Sequence, residues 1–181
     1  MNNVFATCQC HFDFLNSYGY AIPSFADDNA ITFCGDCTRI RMLYSPFELV
    51  VECVIEDFNG RHFAIEDAFT YINETEHRGY FQFANNDPET MLKGMRAFAE
   101  NLCFLFAKID LSMPENFDAV WNFTQAEEDA YKKRRIVEDE LHEAERCWRL
   151  KKYPEAIALF ENNAESLSQS QRQKLSYMKR H

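Results

Sequence analysis

The sequence predicts an α+β protein: an antiparallel meander of four to five strands with helices packed on one face, followed by a C-terminal helical hairpin or three-helix tail. Three observations predict it. Between Ala30 and Ile65 side chains alternate with the period of two that belongs to a half-buried strand. Turn-forming pairs interrupt that alternation at Gly35-Asp36, Ser45-Pro46 and Asn59-Gly60. On either side of the stretch the apolar spacing changes to that of helices.

In chain order, Val4, Phe5, Cys8, Phe12 and Leu15 predict a helix from about Asn3 to Tyr18, with Gly19 suited to close it. Tyr20-Ala21-Ile22 reads as a short strand, and the polar run from Ser24 to Asn29 as a loop into the meander. Within the meander, Ile40, Met42, Tyr44, Phe47, Leu49, Val51, Cys53 and Ile55 supply an apolar face. Arg39, Arg41, Glu48, Glu52 and Glu56 mark the wet one. Glu66 to Ile72 returns to helical spacing with acids in its first turn, where the helix dipole favours them. Asn73 to Arg78 is a polar connection, and Tyr80-Phe81-Gln82-Phe83 a last strand.

Asp87-Pro88 predicts a sharp helix start, and Met91, Met95, Phe98, Leu102, Leu105 and Ile109 a single stripe running to about Lys108. Leu111 to Asn122, with Pro114, reads as a loop containing a helical turn, after which Thr124 and Glu127 fit a capping box. The body is therefore expected over residues 1–122, and a helical extension packed on it over 123–181. Ala130, Val137, Leu141, Ala144 and Trp148 make a narrow stripe in the extension, flanked by charge. Tyr153-Pro154-Glu155-Ala156-Ile157-Ala158-Leu159-Phe160 resembles the second-helix signature of tetratricopeptide repeats, over about one and a half repeats. Trp148, Tyr153, Ala156 and Phe160 are expected to pack together there. Ser168 and Gln171 form a capping box for a further helix.

Charge narrows the function classes. Residues 1–120 carry 18 acidic against 7 basic side chains, whereas 121–181 carry 11 against 12, so the net charge of −10 lies wholly on the body. Such a surface repels nucleic acid and anionic membranes and steers basic partners towards itself. The N-terminus shows neither a basic lead nor a long apolar run, and seven scattered cysteines suit a reducing compartment. A cytoplasmic location is expected.

The chain carries no nucleophile elbow, paired-histidine motif or glycine-rich phosphate loop, so no catalytic residue, metal or cofactor is expected. One alternative is a metal-binding or redox module built from Cys8, Cys10, Cys34 and Cys37. It needs the N-terminus to be non-helical, because residues two apart on an α-helix point about 200° apart. As a redox pair, Cys34 and Cys37 would sit opposite each other across a hairpin, without the helix N-terminus that lowers thiol pKa. Cys53, Cys103 and Cys147 read as small core residues. A scaffold protein with another partner is a further alternative.

A helix ending at Tyr18-Gly19-Tyr20, the Arg39–Tyr44 and Phe47–Glu52 runs and a long closing helix resemble small bacterial immunity proteins of polymorphic and contact-dependent toxin systems, over about residues 4–110. That resemblance implies a cytoplasmic, non-enzymatic protein that binds and blocks a cognate toxin, often a basic nuclease. The residues expected to meet such a partner are Asp36, Glu48, Glu52, Glu56 and Asp57, since helices need only one sheet face.

Overall fold

A computed structural model describes residues 9–21, 30–45, 47–74, 80–82 and 88–180. It divides into two compact units, Met1–Thr124 and Gln125–His181. The α+β class and the helical C-terminal region are both present.

In the first unit, residues Gln9–Tyr18 form a 3-10 helix, where sequence spacing suggests an α-helix; the residues from Asn3 to Cys8 lie outside those described. The tighter period explains the choice, because Phe12, Leu15 and Tyr18 recur every three residues and so share one face of a three-per-turn helix. Phe12 and Leu15 are buried. Gly19 (φ 81°) ends the helix with Gly19 N–H donating to the Asn16 carbonyl and Tyr20 N–H to that of Leu15, a Schellman closure.

Four strands follow as an antiparallel meander: β1 (Ala30–Cys34), β2 (Thr38–Ser45), β3 (Val50–Asp57) and β4 (His62–Ala64). Helix α1 (Ile65–Tyr71) comes next, then β5 (Tyr80–Gln82), which returns to pair with Val50–Glu52. Because β4 pairs with Val54–Glu56, β4 and β5 share one edge of β3 while β2 fills the other. Ala21, expected within a short strand, forms a single bridge to Cys34.

The alternation holds where it is regular. Ile40, Met42, Val51, Cys53 and Ile55 are buried on one face, while Arg41 and Glu52 are exposed on the other. It fails at Phe47, in the turn before β3, which is left 97% exposed. Leu49 in the same turn adopts a left-handed backbone (φ 56°) and still packs against the core, in phase with Val51 and Cys53.

Helix α2 (Pro88–Lys108) lays Met91, Met95, Phe98, Leu102 and Leu105 into the core, as its stripe requires. Two buried polar groups stitch the core to the segment after α2. Thr38 Oγ1 donates to the Leu111 carbonyl at 3.1 Å, which leaves the Tyr20 hydroxyl to donate to Thr38 at 2.6 Å.

Helix α3 (Pro114–Arg149) is continuous over 36 residues and corrects the expectation of a loop over Leu111–Asn122. Pro114 is its first residue, where a missing N–H costs nothing. Thr124 is not a cap. It lies inside the helix, and its hydroxyl donates back to the Val120 carbonyl at 3.1 Å. Among the described residues, no helix is long and apolar enough to cross a membrane.

The second unit comprises the rest of α3, α4 (Tyr153–Asn162) and α5 (Gln169–Met178). Every residue from Ala126 to Ile136 is exposed, including Ala130, a member of the expected apolar stripe. From Leu141 onward the stripe is real. Ala144, Cys147, Ala156, Phe160, Leu167 and Met178 form a core, with Trp148 and Tyr153 packed against it. The Trp148 and Tyr153 rings stack at 5.4 Å, so the four residues expected to meet do meet. Lys151 (φ 60°) closes α3 in another Schellman motif: its N–H donates to the Trp148 carbonyl, and Lys152 N–H to that of Cys147. The Ser168–Gln171 capping box forms in both directions.

Candidate functional site

The outer face of the sheet is set by register. Arg39 lies opposite Glu56, Leu43 opposite Glu52, and Val54 is flanked by Arg41 and Ala64. All of these are odd-phase to the buried set, so they point away from the core.

The five acidic residues expected at a partner surface do not form one group. Asp36 is exposed in the β1–β2 turn. Glu56 pairs with Arg39 at 3.2 Å, and the Arg39 guanidinium lies over the Phe58 ring at 5.0 Å. Asp57 is a correction: it falls in phase with Val51, Cys53 and Ile55, and only 5% of it is exposed. Its carboxylate accepts from Asn59 N–H at 2.8 Å, Arg61 N–H at 2.9 Å, Arg61 Nε at 2.7 Å and Asn59 Nδ2 at 3.3 Å. Burial works to raise its pKa, but these hydrogen bonds together outweigh it and hold the carboxyl below its ordinary value. Asp57 thus locks the β3–β4 hairpin, where Gly60 (φ 86°) supplies the left-handed position.

Glu48 and Glu52 remain, and a third carboxylate joins them. An open groove of about 700 Å³ on the outer face is lined by Glu48, Val50, Glu52, Cys53, Val54, Ala64 and Glu66. Its floor is aliphatic and its acids come from the β2–β3 turn, β3 and the first turn of α1. Burial raises the Glu66 pKa, and the charges of Asp67 and Glu52 add to the effect. Among the described residues, none of the three forms an ion pair.

Sequence spacing alone assigns Glu66 to the helix dipole and nothing more. Its position follows from the hairpin register: Asp57 N–H donates to the Arg61 carbonyl around a three-residue loop, which sets Val54 opposite Ala64, and the same register carried two pairs further brings Glu66 to Glu52.

Cys34 and Cys37 do not sit opposite each other across the hairpin. Gly35 N–H donates to the Thr38 carbonyl, so the two-residue loop is Asp36-Cys37, and Cys34 pairs with Arg39 instead of facing Cys37. Cys10, Cys34 and Cys37 are exposed free thiols, and Cys8 lies outside the described residues. Among the described residues, no group of three or more His, Cys, Asp or Glu could hold a metal ion. Cys53 is buried, and burial followed by the nearby Glu66 charge pushes its thiol pKa up. Cys147 is likewise a core residue with a raised pKa, from burial first and then the Glu143 contact. Cys103 is exposed, against expectation.

No family model matches this chain, and neither a curated protein nor a solved structure matches it. The chemistry of the groove is therefore read from its own atoms. An aliphatic floor under three acids has the chemistry to take a long cationic side chain, its methylenes on the floor and its charge towards the carboxylates.

Proposed function

We propose that this chain is a non-enzymatic cytoplasmic binding protein, most concretely an immunity protein that binds and neutralises a cognate basic toxin of the nuclease type. The observation that carries the reading is the groove holding Glu48, Glu52 and Glu66 on the outer face of the sheet, within a body of net charge −11. Carboxylates that, among the described residues, form no ion pair are a surface that a lysine- or arginine-rich partner completes, and long-range attraction speeds its approach. The likeness of the meander to small bacterial immunity proteins supports the same reading.

The test begins with gene neighbourhood: an immunity gene lies directly downstream of a large toxin gene. Co-expression with that toxin's C-terminal domain should then restore growth, and the purified pair should associate less tightly as salt rises. Reversing Glu48 and Glu52 to Lys should abolish both effects. Unchanged protection and an unchanged salt slope in that double variant would remove this face from the proposal.

A further inference from the structure

Phe47 is a large aromatic at 97% exposure, at a position where simple alternation would have buried it beside Leu49 and Val51. The backbone accounts for this. Leu49 is held in the left-handed region and packs against the core, which turns the preceding residues outward. Glu48 N–H donates to Ser45 Oγ at 3.4 Å, tying the turn to the end of β2. A bulky residue at positive φ is strained, and strain retained at a turn that displays an aromatic is characteristic of recognition sites.

Two other exposed rings of the first unit have partners within the chain. Phe58 lies under Arg39, and Tyr71 packs edge-on against Phe123. Among the described residues, Phe47 makes no ring or cation contact, and Glu48 beside it opens onto the groove.

We propose that Phe47 is the apolar anchor of the partner face, inserting into an apolar pocket on the partner protein whose rim carries lysine or arginine side chains that meet Glu48 and Glu52. The proposal rests on the binding reading above and adds the shape and charge of the surface that the partner must present. Interfaces concentrate their affinity in such central aromatic anchors, with charged neighbours setting orientation and approach.

A minimal mimic of that surface is 6-amino-β-cyclodextrin, an apolar cavity that accepts a phenyl ring and bears ammonium groups on its rim. Titrated into the full chain at low salt and followed by amide NMR shifts, it should bind at Phe47, Glu48 and Leu49 about tenfold more tightly than neutral β-cyclodextrin. Phe47→Ala should abolish binding while leaving the unfolding transition in place, since the side chain is exposed. Glu48→Gln with Glu52→Gln should reduce the cationic probe to the level of the neutral one. Retention of binding by Phe47→Ala would overturn the anchor, while salt-sensitive binding at Glu48 and Glu52 in that variant would keep the acidic face. Equal affinity for the two probes at Phe47 would overturn the cationic rim and count against the acidic face as well.

Discussion

Replacing Asp57 by Ala isolates what one buried carboxylate does for the meander. The side chain organises a three-residue loop, accepting from two backbone N–H groups, at 2.8 and 2.9 Å, and from the Arg61 guanidinium at 2.7 Å. A hydrogen bond to a charged acceptor contributes about 1.5–3 kcal/mol when buried, but this loop is partly wet and water replaces some of what is lost. The Arg61 side chain is 39% exposed and keeps Asp118 at 2.8 Å, so the ion pair itself adds little. The expected loss is about 2 kcal/mol. The chain has two tryptophans, Trp121 in the first unit and Trp148 in the second, so a Trp148→Phe background reports the first unit alone. Urea unfolding followed by Trp121 fluorescence measures the difference. Because the folded carboxyl is held below its ordinary value, its contribution is present above the unfolded pKa of about 3.9 and is lost as pH falls through the folded value. The gap between the wild-type protein and the variant should thus be constant from neutrality down to about pH 5 and close under stronger acid. A loss below about 0.5 kcal/mol, or a gap that widens on acidification, would refute the assignment.

Three further outcomes are expected. Ala156→Phe should overpack the α3–α4 crossing, where Ala156 is fully buried, and cost about 1–3 kcal/mol by Trp148 fluorescence in a Trp121→Phe background. Lys151→Gly should stabilise the same unit by about 0.5–1 kcal/mol, because glycine takes the left-handed position without a Cβ clash; thermal unfolding reads the change. Thr38→Val should cost about 1–3 kcal/mol, since it strips the Tyr20 hydroxyl and the Leu111 carbonyl of their shared buried partner, whereas Tyr20→Phe should cost less.

Strands and helices with a regular period were legible in the sequence, and the exceptions have local causes. The faces of β2 and β3 and the span of α2 follow from spacing and from Pro88 alone. The turn before β3 does not, because a left-handed leucine has no sequence signature, and only Phe47 departs from the alternation there. Thr124 with Glu127 spells a capping box, yet the helix continues through it: with Pro114 at the start and no glycine or proline before Arg149, nothing breaks it. The candidate groove was half legible. Glu48 and Glu52 come from alternation, and Glu66 requires the hairpin register to be extended across a helix start. Asp57 is misplaced by the sequence because an acid at the last in-phase position looks the same whether it faces solvent or caps a loop.

Among the described helices, the stretch of α3 from Ala126 to Ile136 stands out for having no buried residue. No side chain there gains from burial, so the helix is held by its own amide bonds and by pairs such as Glu128–Lys132. Its amides should exchange with solvent by brief local opening, while those beneath Phe98 or Phe160 wait for their cores to unfold. Added salt weakens such exposed pairs, so the amide exchange of this segment should quicken as ionic strength rises.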